Sequence, residues 1–135
     1  MVNAGSERII NIGSVFGEGA PLPGVTMYIA TKFAMHGFAR GLSRELGAAG
    51  VTVNGVEPGP IDTELSPDGG PYSEALKKLT SIGRFGTVEE IASAVAFIAH
   101  PDSAFINGEN LSCVPWVRVP SNCCSGLCGR DLGPC

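Results

Sequence analysis

Long hydrophobic runs and an excess of basic charge are both missing from this sequence of 135 residues. Without a run of 18 or more apolar residues, no membrane-spanning helix is predicted. The first ten residues, MVNAGSERII, have neither the basic start nor the long apolar stretch of a secretory signal, so a cytoplasmic location is expected. A net charge of -4 argues against a nucleic-acid-binding surface. Neither a membrane nor a nucleic acid is therefore expected as a partner.

Cysteine is absent before position 113, and all five cysteines lie in the last segment of the chain. This shift indicates a boundary near Asn110, with one domain over 1–110 and a Cys- and Pro-rich tail over 111–135 that lacks stable order. The tail suggests an alternative reading frame, a splice variant or a gene-model error as its origin. It holds no C-x-x-C pair and no histidine, so no metal site is expected. The five residues are Cys113, Cys123, Cys124, Cys128 and Cys135.

Apolar periodicity predicts an α/β fold. Two short apolar runs, RIINIGS and VTVNGVEPG, end in breakers and are predicted to be buried strands. Between them an apolar residue recurs every four positions, as on one face of a helix. Thr87 and Glu90 have the spacing of a capping box at the start of a later helix. The order strand, helix, strand, helix, helix indicates a parallel sheet. The predicted strands cover 8–13 and 51–59, and the predicted helices cover about 27–46, 71–82 and 87–100.

Three polar side chains are candidates for proton chemistry. Tyr28 and Lys32 are four residues apart and project from the same face of the predicted helix. A free tyrosine is a poor acid or base at neutral pH, and a neighbouring ammonium favours its phenolate form. Ser14 follows the first strand, where open α/β sheets bind ligands, and its hydroxyl could hold a carbonyl oxygen. The alternative is that Tyr28 and Lys32 are only surface neighbours, and the pair alone does not decide between the two.

Three further residues have structural interpretations. His36 lies inside the predicted helix and His100 at the end of another, and neither has a second ligand at metal spacing. Asp62 is expected to cap a turn rather than to take part in catalysis. The Pro58-Gly59 break exposes backbone donors and acceptors at the end of the second strand.

Four motifs occur in order between about Arg8 and Gly108: NIGSVFG, MYIATKFAMHGFARGLSRELG, VTVNGVEPGPIDTE and RFGTVEEIASAVAFIA. Together they resemble the short-chain dehydrogenase/reductase family, and the members similar to 3-oxoacyl-carrier-protein reductases in particular. The resemblance implies a partial Rossmann-like, doubly wound parallel sheet. It also implies an oxidoreductase that uses NAD or NADP to interconvert a ketone and a secondary alcohol, with a small carbonyl or alcohol compound as substrate.

The resemblance also assigns roles to single residues. Tyr28 would be the acid/base, Lys32 would bind the nicotinamide ribose and assist Tyr28, and Ser14 would orient the substrate oxygen. These three form the implied catalytic set. A second set would meet the carboxamide and phosphates of the cofactor, together with Tyr28 and Lys32: Pro58, Gly59, Ile61 and Thr63.

The family's glycine-rich cofactor turn, its N-N-A-G stretch and its catalytic Asn have no counterpart in the sequence. We therefore expect a chain that corresponds to the C-terminal half of a reductase, with an unpaired edge on its first strand. A second hypothesis follows, in which the chain is a catalytically inactive fragment or an assembly module. It would form a homo-oligomer through the helix over 27–46, where Gly37 and Gly41 allow close approach, although these two glycines could equally pack on the sheet. The residues do not determine the substrate or the choice between NAD and NADP.

Overall fold

The computed structural model describes residues 7–19 and 23–114. Three strands form one parallel sheet in the order β1-β2-β3, and β1 and β3 are its two edge strands among the described residues. Ile9 pairs with Val53, and Val56 pairs with Leu111. The predicted α/β class with a parallel sheet is confirmed. The elements are β1 (Glu7–Ile12), α1 (Thr26–Leu46), β2 (Val51–Pro58), α2 (Ser73–Lys78), α3 (Val88–Ala99) and β3 (Asn110–Cys113).

The core lies between α1 and the sheet. Ala39 of α1 and Val51 and Val53 of β2 are fully buried, and the half-buried side chains packed against them are Ile9, Leu42 and Leu46. Because strand side chains alternate between faces, Val51 and Val53 point to α1 and Val56 points to the opposite face. This packing fixes α1 against β2, and so fixes where the first turn of α1 meets the strand ends.

The predicted helix starts are mostly correct. Thr87 accepts a hydrogen bond from the Glu90 amide at 3.3 Å, and Glu90 accepts one from the Thr87 amide at 2.8 Å, which confirms the capping box of α3. The helix predicted over 71–82 is shorter, because the amide and hydroxyl of Thr80 both donate to the Lys77 carbonyl oxygen and end it. Among the described residues, no helix has the combination of length and hydrophobicity that a membrane span requires.

The sheet continues past the predicted domain boundary. The strand β3 begins at Asn110 and runs to Cys113, beside the second half of β2. From residue 115 onward the predicted tail lies outside the described residues, so its lack of stable order stays a prediction. The same holds for residues 20–22 of the loop between β1 and α1.

Candidate active site

A cavity of about 470 Å³ opens at the edge of the sheet where β1 and β2 end. Parallel strands end on the same side, so the residues that follow β1 and β2 meet there. The first turn of α1 and the helices α2 and α3 supply the other walls. Most of the lining is apolar, and no Asp, Glu, Lys or Arg side chain of the described residues belongs to it. The lining residues are Gly13, Ser14, Val15, Phe16, Tyr28, Pro58, Gly59, Pro60, Ile61, Thr63, Ser66, Tyr72, Leu76, Val88 and Ile91.

Ser14 begins the short 3-10 turn that follows β1. Its residue is 7% exposed, and its hydroxyl oxygen accepts a hydrogen bond from the Phe16 amide at 3.2 Å. That bond occupies the oxygen as an acceptor and leaves the O–H free to donate. The backbone amide of Ser14 donates to a carboxylate oxygen of Glu57 at 2.5 Å. Ser14 is therefore held through both its backbone and its side chain.

Tyr28 and Lys32 lie one turn apart near the start of α1. The Tyr28 ring meets the Phe16 ring edge to face, with centroids 6.1 Å apart. Lys32 Nζ donates to the carbonyl oxygen of Ile12 at 3.1 Å and lies 5.6 Å from the centre of the Tyr28 ring. The bond to Ile12 uses one of three ammonium donors and ties α1 to the end of β1.

The segment after β2 forms the floor of the cavity. Gly59 donates its amide to the Cys113 carbonyl oxygen at 3.2 Å, and a Cβ on Gly59 would overlap the Val114 side chain. Ile61 pairs with Gly86 as an isolated bridge, so the chain returns to the same point after α2. The Thr63 hydroxyl accepts from the Ser66 amide at 3.2 Å and turns the segment towards α2.

The structure brings most of the predicted site residues to one place. Ser14 and Tyr28 line the cavity together with Pro58, Gly59, Ile61 and Thr63. Lys32 is not part of the lining, and its Nζ lies 5.6 Å from the centre of the Tyr28 ring. Sequence reasoning missed the apolar walls, which are Phe16, Tyr72, Leu76, Val88 and Ile91. Only the apolar periodicity of the two later helices hinted at them.

Two ion pairs fix the helices that carry these walls. Asp68 accepts from Ser73 Oγ at 2.7 Å and lies 2.7 Å from Lys77 Nζ, so the loop is bound to α2. The hydrogen bond from Lys77, with that from Ser73, lowers the pKa of Asp68. Arg84 forms two hydrogen bonds to Glu90, at 2.6 and 2.9 Å. These bonds, with that from the Thr87 amide, lower the pKa of Glu90 to about 2.

Three residues for which the sequence favours structural roles make contacts within the fold: Asp62, His36 and His100. Asp62 Oδ1 accepts from the Asp68 amide at 2.8 Å, a bond that closes the loop over 62–68. His36 lies inside α1, with Nε2 3.1 Å from a Glu57 oxygen. His100 accepts from the Asp102 amide at 3.2 Å. Within residues 7–19 and 23–114, no group of three His, Cys, Asp or Glu side chains could hold a metal ion.

Known proteins share this arrangement of elements. Residues 1–113 match the family described as enoyl-(acyl carrier protein) reductase. The chain is 46% identical over 101 residues to the cyclic-di-GMP-binding biofilm dispersal mediator protein of Escherichia coli K12, which covers 75% of this chain and 43% of that protein. It is 43% identical over 111 residues to the 3-oxoacyl-[acyl-carrier-protein] reductase FabG of Pseudomonas aeruginosa, covering 80% of this chain and 44% of that one.

Solved structures agree with the sequence comparisons. The crystal structure of a blue fluorescent protein from a metagenomic library, in complex with NADPH, superimposes with a TM-score of 0.79 at 47% identity. The match covers 81% of this chain and 44% of that protein. The chain therefore spans less than half the length of the relatives that it matches.

Proposed function

The chain belongs to the short-chain dehydrogenase/reductase family, with 3-oxoacyl-acyl-carrier-protein reductases among its relatives, and from this we propose that it serves the NAD(P)-dependent interconversion of a ketone and a secondary alcohol. The single observation that supports this proposal most is the shared cavity. A buried serine hydroxyl, a tyrosine phenol and the exposed backbone after β2 all line it. The Ser14 and Tyr28 hydroxyl groups in this mostly apolar cavity suit a carbonyl oxygen that gains a proton.

In the direction of reduction, Tyr28 gives its phenolic proton to the substrate oxygen. The Ser14 hydroxyl, whose oxygen accepts one bond from the Phe16 amide, donates its O–H to that same substrate oxygen. The phenolate that remains on Tyr28 is stabilised by the ammonium of Lys32, 5.6 Å from the ring centre. In the direction of oxidation the proton returns to Tyr28. A tyrosine assisted in this way is a general acid/base of the kind that proton transfer needs.

The residues around the cavity suit the nicotinamide end of a dinucleotide. Lys32 uses one N–H on Ile12 and keeps two for ribose hydroxyls. The backbone of Pro58, Gly59 and Ile61 borders the cavity, and the Thr63 hydroxyl retains its proton as a donor because its oxygen accepts from Ser66. The hydride for the substrate carbon would be supplied by the bound nicotinamide. The chain's own residues orient the two partners and move the proton.

The walls favour an uncharged substrate. Phe16, Tyr72, Leu76 and Ile91 surround the space with apolar surface, and no charged side chain of the described residues lines it. Burying an unpaired charge there would cost far more than any apolar contact returns. We therefore propose a ketone with apolar substituents as the substrate class, in preference to a keto acid.

The experiment that tests this function compares two variants of the 135-residue chain. Reduced nicotinamide cofactor is titrated first, by fluorescence, and turnover of an apolar ketone is then followed by loss of NADPH or NADH absorbance. Tyr28→Phe is expected to lower kcat by roughly 100-fold or more, the usual contribution of a general acid. Tyr72→Phe removes the other phenol of the same cavity and is expected to retain most of kcat.

Equal losses of kcat in both variants would refute the role of Tyr28. Saturable cofactor binding with turnover supports the enzyme. No saturable binding up to millimolar cofactor would refute the proposal for this chain and would favour the non-catalytic role as a fragment or assembly module.

We also propose that two copies of the chain associate through α1, and one observation supports this. Met27, Phe33 and Phe38 of α1 are 78%, 50% and 52% exposed, an apolar face that a second copy could cover. A Cβ on Gly41 would meet nothing within 4 Å. Gly41→Leu should therefore leave the monomer folded while it blocks close approach of a partner helix. Light scattering would then show a smaller mass for the variant than for the wild type, and equal masses would refute pairing through this face of α1.

A further inference from the structure

One carboxylate lies buried directly behind Ser14. Glu57 is the seventh residue of β2 and is 1% exposed, in a strand that is otherwise apolar or neutral. Its Oε2 accepts from the Ser14 amide at 2.5 Å, and Nε2 of His36 lies 3.1 Å from the same oxygen, without the alignment of a hydrogen bond. A carboxylate in such a place is tolerated only when it is paired.

Glycines leave the room that this pair occupies. A Cβ on Gly13 would overlap the Glu57 carboxylate, while one on Gly55 would overlap the Asn110 side chain first and would lie 3.0 Å from Glu57 Oε1. A Cβ on Gly17 would lie 2.7 Å from Nε2 of His36. None of the three has a positive φ, so space rather than backbone conformation is what their missing side chains supply. The surrounding backbone is shaped to admit Glu57 and His36.

The pair connects three elements that meet at the cavity. Glu57 comes from β2 and binds the amide of Ser14, which begins the turn after β1. His36 comes from α1, eight residues after Tyr28, so Tyr28, Lys32 and His36 form one stripe along that helix. The three contact, in order, the cavity, the end of β1 and the buried carboxylate.

We propose that Glu57 and His36 are positioning residues, which fix the Ser14 hydroxyl relative to the Tyr28 phenol. Glu57 accepts a hydrogen bond from the Ser14 backbone amide, while the Phe16 amide donates one to the Ser14 side-chain oxygen. His36 lies beside the Glu57 carboxylate and belongs to α1, so it relates the position of Ser14 to the helix that contains Tyr28. The inference rests on the proposed function for its catalytic consequence, but its geometric content stands apart from turnover.

The first test is the amide of Ser14, observed by NMR in the 135-residue chain. Its hydrogen bond to a charged acceptor protects it from exchange, and Glu57→Gln replaces that acceptor with a neutral one. Exchange of the Ser14 amide is expected to become on the order of 10-fold faster, with an upfield shift of its proton. Glu89→Gln makes the same chemical change on the exposed surface of α3 and should leave the Ser14 signal unchanged.

His36→Gln keeps a polar side chain and tests the second member of the pair, should the Glu57 variant fold poorly. It is expected to shift the Ser14 amide signal in the same direction and by less. An unchanged Ser14 signal in a folded variant of either residue would overturn the proposal. A shift of equal size in Glu89→Gln would overturn it as well.

Kinetics supply the readout that a purely structural role would not move. In Glu57→Gln, kcat per folded molecule is expected to fall while KM for the cofactor is kept. A lower melting temperature with unchanged kcat would overturn the positioning role. If the wild-type chain shows no turnover, the proposed function fails, and the Ser14 signal still decides whether the pair holds this residue.

Discussion

Gly13→Ala is the most direct test of how the buried carboxylate is packed. A methyl group there would overlap all three terminal heavy atoms of the Glu57 side chain, which is 1% exposed. Overpacking a buried site costs about 1–3 kcal/mol. Displacing the carboxylate also breaks its bond to the Ser14 amide, which is worth about 1.5–3 kcal/mol. We expect the free energy of unfolding to fall by about 3 kcal/mol or more.

Urea unfolding followed by circular dichroism measures this loss, and a double-mutant cycle identifies its cause. In a Glu57→Ala background the overlap is gone, so Gly13→Ala should then cost less than about 0.5 kcal/mol. Gly19→Ala is the matched control, because a Cβ there meets nothing within 4 Å. If Gly13→Ala costs the same with and without the Glu57 carboxylate, the reasoning is refuted.

Two further predictions concern the walls of the cavity. The variant Glu90→Gln weakens the hydrogen bonds from Arg84. The folded pKa of Glu90 is lowered from 4.5 to about 2. The loss of stability relative to wild type should therefore be complete above pH 4.5 and should vanish as pH falls towards 2. Thermal melts across that range check it, and a difference that does not depend on pH would contradict it. Leu76→Ala should shift kcat/KM towards ketones with a bulkier substituent by on the order of 10-fold, measured on a chain-length series; an unchanged preference would show that Leu76 does not bound the substrate.

The periodic elements could be predicted from sequence, the short helix α2 was predicted with its end too late, and the short strand β3 was not predicted. The strands β1 and β2 and the helices α1 and α3 follow from apolar spacing, breakers and one capping box, all of which are local signals. The strand β3 was missed because its four residues, NLSC, carry too little pattern to be read as a strand. It exists because Asn110–Cys113 can pair with the end of β2. Such a non-local partner leaves no trace in the local sequence.

The polar residues of the candidate site could be predicted from sequence, but the residues that hold them in place could not. Tyr28, Lys32 and Ser14 could be proposed from a motif, since motifs record spacing along one chain. The partnership of Glu57 with His36 could not, because 21 positions separate them and each resembles an ordinary surface residue. The one available signal was a charged residue in a strand with glycines around it. Conformation alone could have explained those glycines, and only the structure shows that they leave space.

The bridge between Ile61 and Gly86 has a consequence for how this site can change. The Asp62 amide donates to the Gly86 carbonyl oxygen and the Gly86 amide to that of Pro60, each at 2.9 Å, so the excursion between them starts and finishes at one point. That excursion carries Tyr72 and Leu76, two of the five apolar wall residues, and none of the proton-transfer residues. Because the two ends of this segment are hydrogen-bonded to each other, the residues between them tolerate changes of length. Substrate preference can diverge there, through insertion or exchange, while the chemistry on β1 and α1 is inherited unchanged.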